Sequence, residues 1–372
     1  MNGRVTQAEV AKRANVHVTT VSLALRNHAS IPPSTRTRIQ ALAEKMGYRP
    51  DPALRALMAY RSRLRQPLNA TTLAYVNNWP SQWGWKESPA HFAFFAGASA
   101  KAAQLGYQLE PFWLGEAGLS HRRMSDILVA RGIAGLVIAS HTWQSAEKLQ
   151  FEWSRFSAVK IDFIPHDPPL HNVTNDQRSI IQMAMRRVQA AGYRRIGLVM
   201  PGWWDYIVDL AWSAGFLAEQ QSIPPAQRIP ILYYAEQTLR RPSAEDPAEA
   251  LVPKAKFETW LQRYRPQVLI SYRPFVQARL VELGLRVPDD IAFVDVFRLD
   301  DDHATAGVRQ NCRRVGEVAI ETLASQLAQN NYGIPVFQTT TLVEGTWFDG
   351  ASLPPADQLT RQRRRARADH PA

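Results

Sequence analysis

The stretch Val5 to Arg26, VTQAEVAKRANVHVTTVSLALR, leaves a chain few ways to fold. Thr6-Gln7-Ala8-Glu9 has the spacing of a capping box, in which a threonine hydroxyl takes an orphan amide three residues on and the glutamate reaches back. That spacing predicts a helix starting at Thr6. Val10, Ala11 and Ala14 share one face of it, and small alanines let a second helix cross closely. Asn15-Val16-His17 reads as a turn, with Asn15 tolerant of the left-handed region and Val16 a plug into a core. A second helix should run from Val18 to about Leu25, with Val21 and Leu25 inward and Val18, Thr19, Ser22 and Leu23 outward. Two short helices across so tight a turn form a helix-turn-helix, a unit whose outer helix can enter a major groove.

The charge is placed to suit that reading. The net +11 of the 372 residues is not spread evenly. Residues 1–66 hold twelve Lys or Arg against three Asp or Glu, a balance of +9, and residues 359–372 hold five Arg against one Asp, which leaves −2 between them. Basic side chains displace counterions condensed on DNA, so a basic helix-turn-helix end argues for polyanion binding there. The tail from Arg361 to Arg367 is expected to be a solvated arm, with an auxiliary nucleic-acid contact as the alternative. No apolar run approaches the length of a membrane span, and no apolar leader precedes Thr6, so a cytoplasmic chain without membrane association is expected. A single cysteine, Cys312, cannot form an internal disulfide and is expected to act as a small buried hydrophobe.

Behind the helical unit, PDPALRALMAYRSRLRQPL at residues 50–68 reads as a linker, with prolines at both ends and a short helix-forming core at 53–60. From Thr72 onward, β-rich runs alternate with amphipathic helices, the pattern of parallel α/β sheets. Strands are expected in TTLAYVNN, YQLEPFWL, GIAGLVIAS and AVKIDF, then in RRIGLVMP, ILYYAE, QVLISY and IAFVDV. Helices are expected at 90–105, 125–131, 146–151, 176–191, 254–263 and 276–283. The alternation thus occurs twice.

The ordered match V-T-x-x-x-V-A-x-x-A-x-V-x-x-x-T-V-S-x-x-L resembles the headpiece of the LacI/GalR family of bacterial transcriptional regulators. Ser34-Thr35-Arg36-Thr37-Arg38-Ile39 is similar to its third helix and Met46-Gly47-Tyr48-Arg49-Pro50 to the exit into its hinge. Farther on, Gly132–Ile138, Ala191–Gly197, Gly215-Phe216, Gly284–Ala292 and Leu342–Gly345 resemble the family's periplasmic-binding-protein-like effector domain. The resemblance implies an all-α headpiece at 1–50, a hinge helix and linker at 51–68, and a two-lobed α/β domain of two parallel-sheet, Rossmann-like lobes at 69–349. Its first lobe would hold about 69–172 and 308–336 and its second about 173–307 and 337–349, with crossings near Asn172, Gly307 and Val336. Residues 350–372 would form the basic tail. It also implies a homodimeric regulator, a repressor by the family's habit, on a near-palindromic operator.

Within the headpiece, Val18, Thr19 and Ser22 are the expected base-edge contacts, with Thr6, Thr20, Leu23, Arg26, Asn27 and His28 meeting phosphate or flanking bases. His17 stands where the family places a serine cap, and Leu23 where it often places a polar side chain, so two common contacts are missing. In the hinge, Leu57 falls on the leucine that wedges into the minor groove, with Arg55 beside it.

Ligands of open parallel sheets sit beyond the carboxyl ends of the strands. Those loops carry Asn78, Trp79, Trp83 and Trp85 in one lobe and Trp203 and Trp204 in the other, with Trp212 close behind. Aromatic faces beside polar groups suit a saccharide or derivative. By the resemblance, Asp162 and Asp176 are cleft acids, Trp212 replaces an arginine, and Ser271-Tyr272-Arg273 replaces an Asn-Asp pair. Exchange of an acid for a base points to an acidic or aryl-substituted saccharide. No phosphate loop, dinucleotide fingerprint, zinc motif or C-x-x-C pair occurs, so no cofactor and no enzymatic activity are expected. Asp300-Asp301-Asp302-His303 lacks the alternating spacing of a calcium loop. The competing reading is a sugar-binding or sugar-processing protein with an accessory basic N-terminal domain.

Overall fold

The structure is a computed structural model that describes residues 5–28, 30–49, 71–139, 148–163, 167–234, 251–298 and 304–358. The expected hinge, with Arg55 and Leu57, the run Asp300 to His303, and the tail from residue 359 lie outside the described residues.

Three helices form the headpiece: α1 (Gln7–Ala14), α2 (Val18–Leu25) and α3 (Pro33–Lys45). The Thr6 hydroxyl accepts the Glu9 amide at 3.3 Å, and the Glu9 carboxylate accepts the Thr6 amide at 2.6 Å, so both halves of the capping box form. Asn15 ends α1 in the left-handed region at φ 54°. Val10, Ala11, Ala14, Val21, Ala24, Ile39 and Ala43 close a small core between the three helices. On α2, Ala24 rather than Leu25 joins Val21 at the centre, with Leu25 half-buried.

The larger region holds two six-stranded sheets, each mostly parallel. In sequence the strands are β1 (Thr71–Asn77), β2 (Tyr107–Trp113), β3 (Gly135–Ile138), β4 (Ser157–Ile161), β5 (His171–Asn175), β6 (Ile196–Pro201), β7 (Leu232–Tyr234), β8 (Val268–Ser271), β9 (Ala292–Asp295), β10 (Ala306–Arg309), β11 (Thr340–Val343) and β12 (Thr346–Phe348). The first lobe orders its sheet β11-β5-β4-β3-β1-β2 and the second β12-β10-β9-β8-β6-β7. Helices cover both faces, as strands hydrophobic on both sides require. In the first lobe these are α4 (Pro89–Gln104), α5 (His121–Ala130) and the late helix α11 (Cys312–Gln329). In the second they are α6 (Gln177–Ala190), the short α7 (Gly202–Ile207), α8 (Ala211–Gln220), α9 (Lys254–Tyr264) and α10 (Arg273–Glu282). Cys312 opens α11 and packs against the first-lobe core.

The crossings between lobes differ from those expected. β5 pairs with β4 through Ile161↔Val173 and with β11 through Val343↔Asn175, so the chain leaves the first lobe only at Asp176, which caps α6. It returns after β10, at Gln310-Asn311. The third crossing, expected near Val336, falls at Glu344-Gly345, because β11 still belongs to the first sheet and β12 pairs antiparallel with β10 in the second. These short strands at the end of the sheet carry little alternation to announce them: HNVTN is largely polar, and the edge strand TTLV is mostly exposed. No helix includes residues 148–151, where one was expected, and a single 3-10 turn follows at Trp153–Arg155.

Candidate DNA-reading face and inter-lobe cleft

On the headpiece, α2 starts without a serine or threonine cap. His17 supplies the missing acceptor: its Nδ1 takes the Thr19 amide at 3.3 Å. The first turn that this cap holds presents Val18, 39% exposed, and Thr19 to solvent, with Ser22 half-buried one turn later. The Arg26 guanidinium folds back onto that face, donating to the Ser22 carbonyl at 3.1 Å and to its hydroxyl at 2.9 Å. Val18, Thr19, Ser22 and Arg26 therefore lie together, one apolar contact beside hydroxyls and a cation. Thr6 is used in the capping box, and Thr20 is half-buried. Two other expected contacts are placed differently. Leu23 packs against the headpiece core rather than standing outward. Asn27 is a joint between helices: its side chain accepts from Gln40 at 2.7 Å and its carbonyl from Arg36 at 2.9 Å. His28 stays exposed, its Nδ1 accepting the Ser30 amide.

The carboxyl ends of the two sheets face each other across a cavity of about 400 Å³. Trp203 and Trp204 on α7, Tyr272 ahead of α10 and Phe297 beyond β9 form one wall. Their rings make a continuous cluster, with centroids 5.5 Å apart for Trp203–Trp204, 5.8 Å for Trp204–Tyr272 and 5.3 Å for Tyr272–Phe297. Phe275 supports Trp204 edge-on at 5.1 Å. Across the cleft, Trp79 meets His91 edge-on at 4.8 Å, with Phe94 one turn along α4. Phe163 reaches from the end of β4 to pack on Trp203, so the two lobes touch through aromatic rings.

The polar floor is built at the crossings. Gln177 donates to the Gln310 side-chain carbonyl at 2.9 Å and accepts the Trp212 indole at 2.7 Å. Gln310 donates in turn to the Val296 carbonyl at 3.1 Å, and Asn175 donates to the Gln310 backbone carbonyl. These amides hold the lobes' connecting strands together. Asp162 ends β4 in the left-handed region at φ 69° and accepts the Thr174 hydroxyl at 3.1 Å. Beside it, Lys160 donates to the Phe163 carbonyl at 3.0 Å; burial pulls this ammonium down to about 8, against the opposing pull of Asp162.

Of the expected effector contacts, Trp79, Asp162, Trp203, Trp204 and Tyr272 line this cavity. The others do not. Asn78 is half-buried beside Trp79. A 3-10 turn at Gly84–Glu87 carries Trp85 inward, where it is 1% exposed against Tyr75 and Phe95. Trp83 stays outside at 45% exposure, with the Lys86 ammonium 4.0 Å from its ring centre. Trp212 is fully buried and acts through Gln177. Asp176 is occupied in capping α6 through the Ser179 amide. Arg273 bonds the Asp295 carboxylate through its backbone amide and is not among the residues that line the cavity.

Sequence reasoning missed His91, Phe94, Phe163, Asn175, Gln177, Phe297 and Gln310. The adjacency of Phe163 to Asp162 and of Gln177 to Asp176 was a usable signal. His91 and Phe94 needed the observation that positions three apart on the helix after the first strand share a face. Among the described residues, no three His, Cys, Asp or Glu side chains converge as a metal site, and no helix is long and apolar enough to cross a membrane.

Residues 6–51 match the family model of bacterial regulatory proteins, lacI family. No curated protein matches the chain. Solved structures share its fold at low identity. The transcriptional regulator CelR–cellobiose complex is 17% identical with a TM-score of 0.55, covering 94% of this chain and 100% of that one. The lac repressor dimer bound to operator and the anti-inducer ONPF is 16% identical with a TM-score of 0.54, covering 95% and 100%. CcpA of Lactococcus lactis is 13% identical with a TM-score of 0.54, covering 76% and 99%.

Proposed function

We propose that this chain, whose residues 6–51 match the family model of bacterial regulatory proteins, lacI family, is a transcriptional regulator that reads a near-palindromic operator as a homodimer. The observation that carries this reading is the exposed first turn of α2, where Val18, Thr19, Ser22 and Arg26 share one face of a helix built to enter a major groove. Val18 suits a thymine methyl, Thr19 and Ser22 suit base-edge hydrogen bonds, and Arg26, with His28, suits phosphate. Residues 51–68 serve as the hinge that sets the two headpieces, with Leu57 as the minor-groove wedge and Arg55 beside it.

The inter-lobe cleft takes a small-molecule effector, a saccharide or derivative. Trp79, Trp204 and Tyr272 line it with aromatic surface, and Asp162 lines it with an acceptor. A chain of the same fold, CelR, holds cellobiose, and the lac repressor is a dimer on its operator; both support this reading. Effector binding shifts the closure of the lobes, and the spacing of the hinges follows as a population shift. The role is binding rather than catalysis. Selection of bound sequences from a random duplex pool, with and without candidate ligands, tests the reading. A symmetric motif is the expected outcome, and a flat selection without symmetry overturns it.

A further inference from the structure

The walls and the floor of the cleft differ in what they leave for a ligand. The amides of Asn175, Gln177 and Gln310 bond one another and the backbone, so the floor's polar groups already hold the crossings together. No lysine or arginine lines the cavity among the described residues, whereas the carboxylates of Glu87 and Asp162 do, which disfavours an anion. Asp162 stands at the first-lobe side as a carboxylate acceptor. The opposite wall is four rings wide, from Trp203 through Trp204 and Tyr272 to Phe297, and Phe275 backs it.

A free sugar can lay one C–H face on a single ring, but against a wall four rings wide the hydroxyls around its rim also meet carbon, where each lost hydrogen bond to water goes unreplaced. A planar aromatic ring has no such cost and gains edge-to-face and offset contacts with the cluster. Resting on the reading of this cleft as the effector site, we propose that the effector is a two-part molecule: an aromatic ring against the Trp203-Trp204-Tyr272-Phe297 wall, joined to a small, uncharged, hydroxyl-bearing end at Asp162. An aryl glycoside is the simplest compound of this class. A carboxylate end would meet Asp162 as a like charge.

Isothermal titration of the full chain with matched pairs tests this: the phenyl and methyl β-glycosides of glucose, galactose and xylose, with benzoate as the charged aromatic probe. In at least one sugar series the phenyl member is expected to bind about tenfold tighter than the methyl member or better. Tyr272→Leu and Phe297→Leu should each erase most of that margin while circular dichroism stays unchanged. Asp162→Asn should weaken the phenyl and methyl members alike, because it acts on the shared polar end. Methyl glycosides or cellobiose binding as tightly as the phenyl compounds, benzoate binding as tightly as a phenyl glycoside, or no phenyl glycoside binding at all would each overturn the proposal. Operator selection run on the same preparation separates the two claims. Retained symmetric DNA binding without ring preference removes only the ligand class, and loss of the symmetric operator removes the regulator reading beneath it.

Discussion

His17 shows how one side chain can take over a job that another residue type usually does. The imidazole Nδ1 accepts the Thr19 amide at the start of α2, the place of a serine or threonine hydroxyl. His17→Ala should cost about 1 kcal/mol of headpiece stability, and His17→Ser should restore most of it. Denaturant melts of the full chain followed by headpiece signals check this; equal midpoints for His17→Ala and the parent would show that the cap carries no weight. Asp295 makes a second prediction at this scale. Burial raises its carboxyl from an ordinary 3.8 to about 6, against the Phe297 amide bond and the neighbouring Arg273 and Arg298. The folded state thus binds this proton more tightly than the unfolded chain. Its contribution to stability is complete below about pH 4 and is lost as pH rises through about 6. Asp295→Asn should therefore gain on the parent between those limits, by roughly 2–3 kcal/mol. Urea midpoints of both proteins at the two ends of that range give the answer, and a gap independent of pH would refute it.

At the scale of elements, the first lobe depends on α4 and α11 lying against each other with almost nothing between. A Cβ added at Gly97 would sit 1.9 Å from the Arg313 carbonyl oxygen, and one at Gly316 would sit 1.9 Å from the Phe94 carbonyl oxygen. Both obstacles are backbone, so neither can rotate away. Gly97→Ala or Gly316→Ala must push the helices apart, at a cost of roughly 1–3 kcal/mol or more. Thermal unfolding reads the loss, and an unchanged melting temperature would mean that the helices do not approach so closely. Much of this scale was legible from pattern alone. The capping box and the periodic apolar runs located α1, α2, α4, α6 and α9 within a residue or two and placed the central strands inside the expected runs, whereas α5 begins four residues before the expected 125, α10 three before 276, and α7, α8 and α11 were not located. The short strands β5 and β10, and the edge strands β11 and β12 that pair with them, were not legible, because three to five residues without a clear alternation gain their order from pairing partners far away in sequence.

For the whole molecule, the proposed regulator role makes the uneven charge a prediction about DNA. The balance of +9 in residues 1–66 should give DNA affinity a steep fall with salt, since each phosphate neutralised releases counterions. Leu57→Ala is a complementary test of the hinge. It should weaken binding to the selected operator while leaving the salt slope and the fold as they were, because an apolar wedge contributes through DNA bending rather than charge. Binding isotherms over a salt series with parent and variant decide it, and equal operator affinities would remove the wedge.

The sequence by itself determined the helix-turn-helix and the doubled α/β alternation, because caps, small-residue faces and strand hydrophobicity act over a few neighbouring residues. It also brought together Trp79, Trp203 and Trp204 as candidates for one cleft, since strand ends of a parallel sheet gather on one side. Only the tertiary structure decided which tryptophans face that cleft. Trp79 and Trp85 share one loop and one chemistry, yet a single 3-10 turn buries Trp85 beside Tyr75 and leaves Trp79 at the cavity. It decided likewise that Arg273 lies against Asp295 and that Trp212 holds Gln177. Side-chain direction at such positions follows from partners contributed by distant segments, and no local pattern encodes them.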